Sequence, residues 1–523
     1  MSVKGRRACA ALATLAVVGG VATPAATAAP TGRRVAVIVV PRFSPAVYAD
    51  RGAVGLLVPG AGSTVTRAGA LSSLVRGRVV SSLLGGEATG HALFELSQRP
   101  AAITIYVTLP PAGRHRNATR YPIAVVGGGY RGLLASRSTR IDGLVSIADI
   151  APSVVALEQG RRPSIRSRAS QDAPAALVRL EARLRHAHDA RTMAIVVLVA
   201  SVLTLAGLAL LLRSASLSRA ALLAIPAMLA VSFALSAVRI DGLLPVALLL
   251  SVGTVGLSVL GGRSPRALLP LLLAFLVAAV AALALWPAVG ALSVIGPHPD
   301  GGGRYFGVTN EVETLLLAPI LAVGALVGTR RLPLVAAVAL LVVGWSRTGA
   351  DGGGVLVVIA ALAALWSFRA DMRWTPGRIA AGAVAAIGLG LFVVGVDVVS
   401  GGSSHVTDSL GKGPWSVAGE IGHRLHVSWA GVTATTQATV AAILLLVALV
   451  GLALIRERSD AVDALLVALA VSLLVNDSPT DVIAYGALVG AALRTWDDLD
   501  LSTRGRRSFS ALAPQVLPVL RRR

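Results

Sequence analysis

From Thr192 to Leu493 the chain is a nearly unbroken series of apolar segments. Each approaches the length that crosses a hydrocarbon layer of about 30 Å at about 1.5 Å per residue. In lipid no water pairs an exposed amide, so such segments are expected to be helices. Eleven are expected, at 192–212, 220–238, 243–260, 267–292, 314–328, 332–345, 353–368, 379–399, 435–455, 461–475 and 481–493. Apolar residues at 55% against 14% charged exclude an ordinary soluble protein for the chain as a whole.

The arginines between the segments orient the series. Alternate loops carry Arg213 and Arg219, Arg263 and Arg266, Arg330 and Arg331, then Arg369, Arg373 and Arg378, then Arg456 and Arg458. The tail from Arg494 to Arg523 continues that side. The opposite loops hold only Arg239, Arg304, Arg347, Lys412 and Arg424. Basic residues gather on the cytoplasmic side of a membrane, so the tail (494–523) is expected inside and the segment before Thr192 outside.

That outer segment has its own organisation. Residues 1–28 read as a signal peptide: Lys4, Arg6 and Arg7 lead, Ala8 to Val21 form a short apolar core, and Ala26-Thr27-Ala28 offers small residues for cleavage. The single cysteine, Cys9, falls in this leader, so neither a disulfide nor a thiolate site is expected in the mature chain. Residues 31–160 read as an exported α/β domain. Val35 to Val40, Ala53 to Pro59, Ala102 to Val107 and Pro122 to Val126 are strand candidates, and Leu71 to Leu84 is a helical one. Strands alternating with helical pieces imply a mainly parallel sheet. Within the linker at 161–191, Leu177, Leu180 and Leu184 recur at helical spacing and predict a stalk helix running into the first span.

Polar motifs between the spans gather on the outer face. One runs Gly301-Gly302-Gly303-Arg304-Tyr305-Phe306-Gly307-Val308-Thr309-Asn310-Glu311, with Glu313 just inside the next span. A second runs from Arg347 through Asp351 to Gly354, and a third is Asn476-Asp477-Ser478-Pro479-Thr480-Asp481. Ionisable groups near membrane depth usually face a cavity or one another. The candidate site is therefore Arg304, Tyr305, Asn310, Glu311, Arg347, Asp351, Asn476, Asp477 and Asp481. Arginine pairs with phosphate or carboxylate in a fork, which suggests an anionic ligand. The plainer reading is helix capping and ion pairs between loops, with Asn476 to Ser478 at a helix junction. His423, Arg424 and His426 are secondary candidates: the histidines are spaced i, i+3 but lack a third ligand, so no metal is expected.

Gly127-Gly128-Gly129-Tyr130-Arg131-Gly132 matches G-x-G-x-x-G. The Ser, Arg and Thr that follow do not open the helix a dinucleotide site needs. The match fits a different family better. Tyr121 to Gly129, Gly132 to Ser136 and Ser138 to Ser153 resemble the late part of alkaline-phosphatase/sulfatase-superfamily domains, with a strand, a glycine turn and an Asp149-x-x-Pro152-Ser153 that opens the last helix. Active members hold two divalent metals, beginning with an aspartate at the end of the first strand. Here that strand ends Val39-Val40-Pro41-Arg42, and Val107-Thr108-Leu109-Pro110-Pro111 replaces a later Asp-His pair. Ser63 or Thr64 stands near the nucleophile position, with no metal to activate it. The resemblance therefore implies a degenerate, non-catalytic relative.

The sequence is thus expected to encode a multi-pass membrane protein of the bacterial envelope: an α/β exported domain of alkaline-phosphatase type, then an all-α bundle of about eleven helices. The expected function is handling of an anionic or lipid-linked envelope substrate at the outer face. The alternatives are a transporter and a metal-dependent phospho- or phosphoethanolamine transferase. Expected partners are membrane lipids and an anionic envelope polymer or lipid-linked intermediate, with no nucleic acid and no cofactor. The net charge of +22 is almost all arginine; it suits anionic headgroups or acidic polymers, and it also suits the residue usage of a GC-rich coding sequence.

Overall fold

The structure, a computed structural model, describes residues 33–79, 90–297, 299, 304–349, 352–372, 375–399, 435–455, 458–476 and 478–501, with 422, 426, 429, 430, 432 and 433. The expected signal peptide and basic tail lie outside the described residues.

The first domain is built on a seven-stranded sheet. Its strands are β1 (Val35–Val39), β2 (Gly52–Val58), β4 (Ile103–Val107), β6 (Tyr121–Gly127), β7 (Gly132–Ser136), β8 (Leu144–Ser146) and β9 (Ile165–Arg168). The order is β1-β4-β6-β2-β7-β9, with β8 also against β2, and β3 (Thr64–Thr66) pairs separately with β5 (Arg114–Arg116). The helices are α1 (Ala46–Ala49), α2 (Arg67–Arg76) and α3 (Ile150–Glu158). The mainly parallel sheet expected from sequence is corrected to a mixed one. β1–β4, β2–β7 and β2–β8 are parallel, whereas β4–β6, β2–β6 and β7–β9 are antiparallel. The reason is local: no helix stands between β4 and β6, so the chain returns beside itself instead of crossing over. Ile103, Ile105, Ile123, Val125, Leu57 and Leu134 fill one face of the sheet against Leu74, Ile150 and Val154.

The sheet also runs further than the expected boundary at residue 160, because β9 adds its last strand. After four intervening residues α4 (Ala173–Leu211) begins, with the Asp172 side chain accepting from the Ala175 amide at 3.1 Å. It is one continuous 39-residue helix, both stalk and first span. Leu177, Leu180 and Leu184 lie against Val54, Leu56, Val58 and Leu144 on the second face of the sheet.

The helical region continues with α5 (Ala215–Ala237), α6 (Leu243–Gly262), α7 (Leu268–Leu285), α8 (Pro287–Ala291), α9 (Asn310–Val327), α10 (Leu332–Gly344), α11 (Gly352–Arg369), α12 (Pro376–Val399), α13 (Thr436–Leu454), α14 (Asp460–Val475) and α15 (Pro479–Trp496). Six of the described helices, α4, α5, α6, α7, α9 and α11, are long and apolar enough to cross a membrane. The stretch expected as one span at 267–292 divides in two: α7 stops before Trp286, and Pro287 starts α8.

α9 is the axis of the bundle. It touches α5, α7, α10, α11, α14 and α15, and every residue from Glu311 to Gly324 is buried. The far end of the bundle is tied by a buried ion pair. Arg219 Nη1 lies 2.8 Å from Asp500 Oδ1 while Arg219 Nε donates to the Gly262 carbonyl at 2.8 Å. Trp496 Nε1 donates to the other Asp500 oxygen at 3.1 Å. The pair joins the start of α5 to the π-helical turn after α15.

Candidate functional site

The loop before α9 is the seat of the α/β domain on the bundle. Tyr305 is 7% exposed, packs with Leu292, Leu177 and Leu180, and its hydroxyl donates to Ser146 Oγ at 3.1 Å. Burial pushes its hydroxyl pKa well above the ordinary phenol value, so it is a neutral donor. Beside it Arg140 stacks on the Phe306 ring at 4.0 Å. Tyr305, expected in the outer polar site, thus serves the contact between domains.

Beyond Phe306 the motifs that sequence grouped do meet. The Val308 amide donates to the Thr348 carbonyl at 3.1 Å, and a Cβ on Gly307 would stand 2.3 Å from Gly349 Cα. The 304–308 and 345–349 segments therefore lie backbone on backbone, which only glycine permits. Thr309 then caps α9, its side chain accepting from the Val312 amide at 3.3 Å. The cap starts the helix at Asn310 and brings Glu311 and Glu313, 5% and 1% exposed, into its buried first turn.

Each carboxylate meets a different helix. Tyr485 of α15 donates to Glu311 Oε1 at 3.1 Å. Asn476, at the end of α14, donates to Glu313 Oε2 at 3.1 Å and to Ser472 Oγ at 2.8 Å. On the third side the first turn of α11 is bare backbone. A Cβ on Gly353 would fall 2.6 Å from Asn476 Oδ1, and one on Gly354 would fall 2.9 Å from Glu313 Oε2. Glu313 thus lies against a helix start, where the dipole favours negative charge. Asp481, exposed on the first turn of α15, and Arg191, at the middle of α4 just before its long apolar run, lie within electrostatic reach of the Tyr485 hydroxyl.

The nine expected residues are distributed as follows. Glu311, Asn476 and Asp481 belong to this cluster, and Asn310 precedes it, its carbonyl accepting from Thr314 Oγ1 at 2.8 Å. Of the two arginines, Arg304 donates to the Val308 carbonyl just before the α9 cap, and exposed Arg347 lies 5.5 Å over the Trp345 ring. Asp351, Asp477, His423 and Arg424 lie outside the described residues, and His426 is exposed. Glu313, Tyr485 and Arg191 complete the cluster. The sequence signalled Glu313 as a charge inside an apolar run; Tyr485 carried no such signal.

In the α/β domain, Gly127, Gly128 and Gly129 all have positive φ and form the turn between β6 and β7. Asn117, which heads a glycosylation triplet, is buried and donates to the Gly60 and Gly62 carbonyls at 3.0 Å. Thr64 lies in β3, its hydroxyl accepting from Arg114 at 3.1 Å. Among the described residues no three His, Cys, Asp or Glu side chains are grouped to hold a metal.

The chain matches no family model, no curated protein and no solved structure.

Proposed function

We propose that this chain is an envelope transporter that binds a proton or a small cation at Glu311 and Glu313. The observation that carries the reading is this pair of buried carboxylates at the head of the central helix, each bonded to a different neighbouring helix. Charges in a membrane interior are expensive to keep and mark ion or proton pathways. The reading places transport ahead of the anionic-substrate handling expected from sequence. Among the described residues around Tyr485 and Asn476, the carboxylates Glu311, Glu313 and Asp481 outnumber the guanidinium of Arg191, a balance that favours a cation over a phosphate or carboxylate ligand. The bonding pattern also suits exchange: a neutral phenol and an amide support a carboxylate in either protonation state.

The surrounding assignment belongs to the same proposal. All eleven apolar helices span, the exported domain lies outside, and the tail lies in the cytoplasm, supported by the arginine distribution between them. The exported domain is a non-catalytic relative of the alkaline-phosphatase/sulfatase superfamily that sits on the bundle through Tyr305 and Phe306.

The test is ligand-linked stability of the full chain in uncharged detergent, scanned across pH 5–8 and against sodium, potassium, magnesium and calcium. A bound cation at 100 times its dissociation constant stabilises by about 2.7 kcal/mol. The expected result is a cation- or pH-dependent rise in melting temperature that Glu313→Gln or Glu311→Gln abolishes. A wild-type response equal to that of both variants would rule the site out.

A further inference from the structure

The exported domain carries a second charged surface, far from the bundle's carboxylates. β9 is the outermost strand of the sheet, and exposed arginines surround it. Arg166 and Arg168 lie on the strand itself, opposite Ala135 and Leu133 of β7. Arg131 is held beside it by its amide, which donates to Ser167 Oγ at 3.3 Å. Arg137 joins the other end, its amide donating to the Ser164 carbonyl at 3.1 Å. Arg161 and Arg162 enter from the turn after α3. Three separate stretches of chain thus deliver six exposed guanidiniums to one edge. The nearby acids are mostly engaged: Asp142 pairs with Arg168 at 2.5 Å, Asp149 is buried and accepts from Ser138 at 2.7 Å, and Asp172 caps α4.

Charges on an edge strand also serve to block pairing with another sheet. Two arginines on a four-residue strand would suffice for that. The four on the flanking loops guard no backbone edge, and they extend the charge into a stripe. We propose that this edge binds a linear polyanion bearing phosphate or carboxylate groups. Guanidinium forks match both groups in planar, bidentate geometry, and a stripe of several engages successive units of one chain.

The stalk distinguishes a polymer from the membrane surface. β9 ends five residues before Ala173, and Ala173 precedes the first apolar stretch by 19 residues of continuous helix. At about 1.5 Å per residue that end of the strand stands roughly 28 Å above the bilayer. Headgroup charge is screened within about 8 Å at physiological salt. The Arg166–Arg168 end of the stripe is therefore out of reach of the protein's own membrane and open to a polymer in the envelope space.

The experiment uses the full chain in uncharged detergent with two fluorescent probes, linear polyphosphate and poly-glutamate, read by anisotropy over a salt series. The variant is Arg131→Gln/Arg137→Gln/Arg162→Gln/Arg166→Gln. The control, Arg33→Gln/Arg34→Gln/Arg51→Gln/Arg99→Gln, removes the same charge from exposed positions away from β9, two of them beside β1 at the opposite edge. The expected result is salt-dependent binding that the β9-edge variant weakens about ten-fold or more and the control less than about three-fold. Equal losses in both would make the effect one of overall charge and overturn the proposal. So would no binding of either probe at low salt, or phosphatidylglycerol vesicles displacing the probes at equal charge concentration. Each result is independent of Glu311 and Glu313.

Discussion

Asp500→Ala should be among the most damaging single changes in the bundle. Asp500 and Arg219 have side chains 5% and 7% exposed, and each Asp500 oxygen has its own donor. The substitution leaves Arg219 with the Gly262 carbonyl alone and takes the acceptor from Trp496 Nε1. Breaking a buried pair from one side costs about 3–5 kcal/mol, because the remaining charge is uncompensated. Arg219→Met should lose slightly less, about 3 kcal/mol, since Asp500 still accepts from Trp496. The double variant Arg219→Met/Asp500→Leu removes both charges together. It should lie within about 2 kcal/mol of wild type, an interaction energy well beyond what independent sites show. Unfolding of the purified chain in mixed micelles, titrated with dodecyl sulfate, measures all three. Additive losses, or single variants within about 1 kcal/mol of wild type, would refute the view that this pair ties α5 to the π-helical turn after α15.

Further expectations concern the α/β domain, the loop junction and topology. Tyr130 donates to the Ile165 carbonyl at 2.8 Å, and burial pushes its pKa up to about 12 from 10.0. Its contribution to stability is therefore full below pH 10 and is lost as pH rises through about 12; Tyr130→Phe should remove one tyrosine's step near pH 12 from an absorbance titration at 295 nm and cost about 1–2 kcal/mol. Gly307→Ala sets a Cβ 2.3 Å from the Thr348 carbonyl oxygen at φ 82°, whereas Gly328→Ala, at φ 78°, meets nothing within 4 Å. The first should prevent stable folding and the second cost only about 1 kcal/mol, as read from expression and melting temperature. In chains with Cys9 replaced, cysteine at Gly242 should react with an impermeant maleimide from outside, and cysteine at Arg330 only after the membrane is opened; the reverse would invert the topology.

The framework was legible where one physical constraint dominated. Every expected apolar segment contains a helix, because burial in lipid leaves the backbone no other way to pair. β1, β2, β4 and β6 were visible as β-branched runs. β9 was not: Ile165-Arg166-Ser167-Arg168 has one apolar residue and is a strand only because β7 offers it an edge. Boundaries moved where a cap overrode hydropathy. Thr309 begins α9 four residues before the apolar run, and that shift turns Glu311 from a loop residue into a buried one. Sequence reasoning also drew the outer arginines into the polar site on charge complementarity. Arg304 and Arg347 contact a carbonyl and an aromatic ring close to them in the chain, contacts that spacing between motifs does not reveal.

The central claim is that Glu313 and Glu311 exchange a proton or cation inside the bundle. Dicyclohexylcarbodiimide, which enters lipid and reacts with protonated carboxyls, tests it directly when native membranes are labelled across pH 5–9 and the adduct is located by mass spectrometry. The account predicts an adduct on Glu313 or Glu311 that grows as pH falls and is suppressed by the cation that stabilises the protein. Labelling that is independent of pH and of every cation, or that bypasses both residues, would contradict it.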